Sequence, residues 1–226
     1  MRVYVVSYGG SGSWLLVDYL RTLGVEARHI HSRKSPKNIC NTRKRKEIYN
    51  LHLKRGWDVP KEEEWFDYKN LIKEGKIIFI YRNPIYSLLS KKSGNLYHFE
   101  NLDISPEQHQ ILVNLGFTYE GKYHQEALKK YLHLKKDPLN YKEFFDNYHN
   151  CKWNKDYDIL SVNFDHLWDN ISKICEFVGK EYNGKFPQKQ KREYDQNIIS
   201  LSNKVFNKIN SAIDASNNIK ILNKKS

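Results

Sequence analysis

A run of β-favouring residues at 3–7 breaks abruptly into Tyr8-Gly9-Gly10-Ser11-Gly12-Ser13. Leu16, Leu20 and Leu23 then recur at helical spacing up to the stop signal Gly24, and residues 25–30 return to a strand-like pattern. Two strands joined through a helix are parallel, because a hairpin needs only a tight turn whereas a parallel pair needs a crossover. This opening commits the chain to an α/β fold with three layers, a central parallel sheet flanked by helices.

The rest of the chain extends that scheme. Residues 77–81 (Ile-Ile-Phe-Ile-Tyr) form the clearest buried strand and run into Arg82-Asn83-Pro84, where Asn83 suits a helix cap and Pro84 the first helical position. The helix so begun carries Tyr86, Leu88, Leu89 and Ser90. Residues 32–75 are expected to be helix plus loop. Residues 96–155, aromatic-rich, are expected as a helical insert over the sheet that forms the acceptor side, with Tyr97, His98, Phe99, Tyr119, Tyr123 and Tyr131 as its wall. A further strand at 158–164 leads to Asp165, expected to cap a helix whose core face is Leu167, Ile171, Ile174 and Val178. A basic loop at 185–192 precedes a last amphipathic helix near 193–213. Residues 1–214 are expected to form a single domain, and the polar tail 215–226 to be frayed.

Composition narrows the partners. Among 226 residues, Lys and Arg outnumber Asp and Glu by 38 to 26, a formal net charge of +12. Such an excess favours an anionic partner: a phosphate-rich cosubstrate, an acidic glycan, a membrane surface or nucleic acid. No nucleic-acid recognition motif accompanies it. The three cysteines, Cys40, Cys151 and Cys175, form neither a disulfide framework nor a metal-binding pattern, and Cys175 lies in an apolar run suited to a core thiol. With no apolar run of membrane-spanning length and a mean hydropathy of −0.77, the chain is expected to be soluble, intracellular and cytoplasmic.

Two segments carry chemistry. In the first, glycines between a strand and a helix let backbone N–H groups turn toward an anion at the helix N-terminus, and Ser11 and Ser13 add hydroxyls. A plain tight turn would use the same residues. No Gly-Lys-[Ser/Thr] is present, so the loop is not that of an NTP-hydrolysing enzyme. In the second, Arg82 emerges at the carboxyl end of a buried strand, where open α/β sheets bind ligands, and Ser90 lies two turns further on. Arginine offers the forked geometry that phosphate favours. A surface ion pair is the plainer alternative for it.

Taken in order, these segments resemble the sulfotransferases that use 3′-phosphoadenosine 5′-phosphosulfate (PAPS). In that family a phosphosulfate loop follows the first strand, and an Arg-Asn/Asp-Pro…Ser segment follows a later one. A third stretch agrees: Ser161-Val162-Asn163-Phe164-Asp165-His166-Leu167, then Ile174-Cys175-Glu176-Phe177-Val178-Gly179, is similar to the family's Tyr-Glu-Asp-Leu strand exit and Phe-Leu-Gly ending. The resemblance implies a P-loop NTPase-like sulfotransferase fold, PAPS as sulfuryl donor with 3′-phosphoadenosine 5′-phosphate (PAP) as product, and no metal. The acceptor it implies is a hydroxyl or amine, with an acidic glycan among the candidates.

By the same resemblance Gly9, Gly10, Ser11, Gly12 and Ser13 would cradle the 5′-phosphosulfate, and Arg82 and Ser90 would hold the 3′-phosphate. Phe164 and Trp14 would meet the adenine, although Trp14 stands one residue before the family's stacking Trp. Lys189, Lys191 and Arg192 would close over the 3′-phosphate. The chain departs from the family at Gly10, where a Lys or Arg usually assists the leaving group; Arg28, Lys34, Lys185, Lys189, Lys191 and Arg192 are the candidate replacements. His31, His29 and His98 are the candidate bases, with Glu100 behind them. A catalytically idle nucleotide- or polyanion-binding module of the same fold, or a small-molecule kinase, stays open beside the enzyme.

Overall fold

A computed structural model of the chain describes residues 2–8, 11–30, 75–89, 96, 99, 104–119, 125–150, 158–190 and 193–222. Its centre is a sheet of five strands, β1 (Arg2–Val6), β2 (Glu26–Ile30), β3 (Lys76–Tyr81), β4 (Asp158–Asn163) and β5 (Ile219–Leu222), in the order β2-β1-β3-β4-β5. Around it lie α1 (Ser13–Thr22), α2 (Pro84–Leu88), α3 (Pro106–Leu115), α4 (Gln125–Leu132), α5 (Tyr141–His149), α6 (Ile171–Phe177), α7 (Gln196–Val205) and α8 (Asn207–Asp214).

The alternation of each central strand supplies both faces of the sheet. Val3, Val5, Ile78, Ile80, Leu160 and Val162 turn to one side, where Leu16, Val17 and Leu20 of α1 and Ile174 and Cys175 of α6 cover them. Tyr4, Val6, Ile77, Phe79, Tyr81 and Ile159 turn to the other, under the aromatic face of α5. Phe79 is the hub there, stacking on Phe144 at 5.9 Å and on Tyr148 at 5.0 Å. Helix α5 thus forms part of the second helical layer. No described helix is long and apolar enough to cross a membrane.

Several helix ends follow from their own residues. Asn83 Oδ1 accepts from the Ile85 N–H at 3.0 Å, and Pro84 fills the first position of α2. Ser105 and Gln108 form a reciprocal capping box, and α3 stops at Gly116 with φ of 98°.

Five expectations are corrected. The sheet is mixed, because β5 runs antiparallel to β4 while the other three pairs are parallel. The segment expected to fray supplies that strand: the chain leaves α8 beside the carboxyl end of β4, and residues 215–218 are too few for a parallel crossover. The last helix is two, broken at Phe206, whose ring is buried against Tyr131 and Tyr141 at 6.0 and 5.9 Å. Asp165 caps no helix; it lies inside a 3-10 turn at Phe164–His166 capped by Asn163, and α6 starts only at Ile171. Tyr131 and Phe99, expected on an acceptor wall, are fully buried in the aromatic core. Tyr119 is exposed, while Tyr97 and Tyr123 lie outside the described residues.

Candidate functional site

The carboxyl ends of β1, β3 and β4 share one edge of the sheet. Chain order reverses around β1, with β2 on one side and β3 on the other, which opens the crevice that α/β sheets use for ligands. A cavity of about 970 Å³ lies at this edge. Gly12 after β1, Arg82 and Tyr86 after β3, Phe164 and Trp168 after β4, and Tyr194 before α7 all line it.

The Arg82 guanidinium lies between two rings, 4.2 Å from the Tyr86 centroid and 4.3 Å from that of Phe164. Tyr86 is backed by Tyr194, at 5.0 Å between rings. Arg82 retains only 8% of its exposure, and its Nε has no hydrogen-bond partner among the described residues. Among the described residues its carboxylate neighbour is Asp165, with Oδ1 at 3.4 Å from Nη2, long for a charge-assisted bond. Burial pulls the guanidinium below its ordinary pKa, and Asp165 only partly offsets this. Among the described residues Arg82 is therefore a buried cation with one distant carboxylate and an unpartnered Nε, at the lining of a cavity. An anion with several oxygens supplies both counter-charge and acceptor.

Its backbone is fixed from across the sheet edge. The Tyr8 hydroxyl donates to the Arg82 carbonyl at 2.7 Å and accepts from the Arg82 N–H at 3.0 Å, so the segments after β1 and β3 are pinned together. Burial pushes the Tyr8 phenol well up, which keeps it a neutral hydroxyl able to serve both roles.

Gly12 has a left-handed backbone with φ of 65° and no side-chain cap. A Cβ there would meet Phe164 Cε2 at 2.5 Å, so the missing side chain is what lets the ring seat between loop and guanidinium. The first N–H groups of α1 carry no helical partner, and no acidic residue stands in the first turn to compete for them. Ser7 Oγ donates to Ser13 Oγ at 3.0 Å below this turn, and Ser11 and Ser13 are buried. A buried guanidinium whose Nε has no partner among the described residues, lining a cavity that Gly12 and Lys189 also line, fits a phosphorylated group.

The other expected site residues divide. Lys189 lines the cavity, with Nζ donating to the Asp165 carbonyl at 2.9 Å and lying 5.5 Å from the Trp168 centroid. Of the cations considered as replacements for a loop base, Arg28 is turned to Glu26 at 3.2 Å. Trp14 does not line the cavity; it is 57% exposed and packs edge-on against His29 at 4.9 Å. His29 Nε2 is 3.5 Å from Ser7 Oγ, beneath the glycine loop. Gly9, Gly10, His31, Lys34, Ser90, His98, Glu100, Lys191 and Arg192 lie outside the described residues. Lys185 is exposed.

Sequence reasoning missed Trp168, the role of Asp165, and the pair Tyr86–Tyr194. The signal was spacing: Tyr86 follows Arg82, and Trp168 follows Phe164, by one helical turn each, which puts each ring over the residue that leaves its strand. Trp168 is held by its Nε1 donating to the Pro187 carbonyl at 2.7 Å.

No protein-family model and no curated protein matches the chain. Among solved structures the chain is similar to the mouse sulfotransferase SULT7A1, crystallised with PAP, at 18% identity and a TM-score of 0.35. The match covers 93% of this chain and 66% of that one, so the chain spans just under two thirds of its relative's length. Within its described residues the chain is an α/β protein, a mixed five-stranded sheet flanked by helices, with a cavity lined by Arg82 and Lys189 at the carboxyl edge of that sheet.

Proposed function

We propose that the cavity binds an adenosine nucleotide carrying a 3′-phosphate, and that the protein is a PAPS-dependent sulfotransferase. One observation carries this: a buried arginine, clamped between two rings and with no partner for Nε among the described residues, lines a cavity that also opens onto a glycine-bearing helix N-terminus. A nucleotide phosphorylated at both ends satisfies the two anion sites at once. Arg82 holds the 3′-phosphate, aided by Lys189 and, as the family resemblance implies, by Ser90. Ser11, Gly12 and Ser13 hold the 5′ end, and Phe164 and Trp168 bound the space for the base. Bound PAPS supplies the sulfuryl group that an acceptor hydroxyl or amine takes.

The chain's own part in that transfer is positioning and charge. Buried Ser7 orients Ser13, and His29 stands beside the pair as candidate base. Gly10 leaves the loop without the cation that would assist departure of the diphosphate, and Lys189 is the described replacement that lines the cavity. The net charge of +12 favours an acidic glycan as acceptor.

Calorimetry with PAP, AMP, ADP and ATP tests the pocket. PAP is expected to bind in the micromolar range and better than ADP, and Arg82→Ala to weaken PAP by about tenfold to a hundredfold, as loss of charge-assisted hydrogen bonds does. Equal binding of PAP and ADP would overturn the assignment and favour a kinase-like or polyanion-binding protein.

A further inference from the structure

Beside its principal cation the cavity holds a carboxylate, and an anion site on its own is better without one. Asp165 is not there by looseness of the chain. Its N–H donates to Asn163 Oδ1 at 3.0 Å, and its carbonyl accepts from Lys189 Nζ at 2.9 Å. The residue before it is seated against Gly12 and Arg82. Both sides of the Asp165 backbone are thus tied, and its carboxylate stands at the cavity lining, 46% exposed where the Arg82 side chain is 9% exposed. The contact of 3.4 Å to Arg82 Nη2 is long for a charge-assisted bond, so the carboxylate on this tied backbone keeps room for a further donor.

A carboxylate a few ångströms from a phosphate-holding guanidinium is placed to accept from a hydroxyl on the carbon next to the phosphorylated one. Acidic residues read ribose hydroxyls in this way in other nucleotide sites. We propose that Asp165 is the specificity residue of the pocket: it accepts a hydrogen bond from the ribose 2′-hydroxyl beside a 3′-phosphate held by Arg82, and it repels a phosphate carried at the 2′ position. This rests on the nucleotide assignment above and goes beyond it, because it states which sugar and which phosphate isomer the pocket takes. One side chain thus selects ribose over deoxyribose by attraction and the 3′ over the 2′ isomer by repulsion.

The test is calorimetry on the full chain with 3′,5′-ADP, its 2′-deoxy analogue and 2′,5′-ADP, using wild type, Asp165→Asn and Asp165→Ala. Wild type is expected to favour 3′,5′-ADP over each of the others by about tenfold, the scale of one hydrogen bond to a charged group. Asp165→Ala is expected to bring both ratios close to unity. Asp165→Asn keeps an acceptor but no charge, so it retains part of the ribose preference while admitting 2′,5′-ADP. Thermal stabilisation by 3′,5′-ADP checks that each variant is folded. Should Asp165→Ala strengthen all three ligands by one common factor, Asp165 is only a counter-ion to Arg82 and the proposal fails, with the pocket assignment intact. Equal binding of all three ligands by wild type sinks it as well. If 3′,5′-ADP shows no advantage over ordinary ADP on wild type, the pocket assignment fails and this proposal with it.

Discussion

Gly12 meets two separate demands, and a second glycine allows them to be told apart. Its φ of 65° lies in the left-handed region, and a Cβ would meet Phe164 Cε2 at 2.5 Å. Gly179 after α6 has nearly the same backbone, φ of 69°, with nothing within 4 Å of the Cβ position. Gly179→Ala should therefore cost only the left-handed penalty, about 1–2 kcal/mol, and leave nucleotide binding unchanged. Gly12→Ala adds displacement of the Phe164 ring from the guanidinium it covers, so it should destabilise by more than Gly179→Ala and also weaken PAP by about tenfold or more. Urea midpoints with calorimetry on both variants check this. Equal losses in stability with intact binding would mean that the seating of Phe164 under Gly12 is immaterial to the pocket.

At the scale of elements, strands were the legible part. Continuous runs rich in β-branched and aromatic residues at β1, β3 and β4, and the cap signal at Asn83-Pro84, each act locally and appear in the fold within a residue or two. What escaped was set by tertiary contact. Ile219–Leu222 is too short a run, set in a polar tail, to announce a strand, and it pairs there because β4 offers an open edge. Trp14 has the expected residue type near the expected place, yet α1 turns it toward His29 and away from the cavity, while Trp168 takes a wall of it. Sequence also gave no sign that His149 is a core residue. It sits on the last turn of α5 with 4% exposure, stacked on Phe145 at 4.6 Å, edge-on to Tyr81 on β3 at 5.3 Å, its Nδ1 2.8 Å from Ser161 Oγ on β4. Burial, with Lys220 of β5 adding to it and Asp146 of α5 opposing, lowers its pKa from 6.5 to about 4. Between those values the unfolded chain binds more protons than the native one, so stability falls as pH drops from about 6.5 toward about 4, by at most about 1.4 kcal/mol per pH unit from this group. Urea unfolding at pH 7, 6 and 5 should show that decline, and His149→Phe should flatten it even though it leaves Ser161 without its partner and lowers stability at pH 7. An equal slope in wild type and variant would assign the decline to other groups.

Across the whole molecule, the C-terminal strand ties the far end of the chain to the cavity. The Asn163 N–H donates to the Asn218 carbonyl at 2.8 Å as β5 enters the sheet. Asn163 is the residue whose side chain caps Asp165, and Phe164 lies between the two, against Arg82. The same turn satisfies Tyr81, whose hydroxyl donates to the Asn217 carbonyl at 2.8 Å with Ser216 Oγ at 3.1 Å. Residues 216–222 thus complete the edge of β4, supply the partners of a part-buried hydroxyl at the end of β3, and brace the strand exit that carries Asn163, Phe164 and Asp165. Ending the chain after Ala215 removes all of these together. Loss of the Tyr81 partners alone should cost about 1–3 kcal/mol, and exposure of the β4 edge should add to that and promote association between copies through unpaired backbone groups. The site should suffer as well: with Asn163 released, Phe164 and Asp165 lose their fixed placement, so PAP should bind more weakly in the truncated chain even under conditions where it stays folded. Urea denaturation, size-exclusion chromatography and calorimetry on the full and truncated chains read the three effects separately. A truncated chain that is less stable yet binds PAP with the full chain's affinity would show that β5 closes the sheet without bracing the site, and that contacts on the cavity side, to Gly12, Arg82 and Lys189, suffice to hold the post-β4 turn.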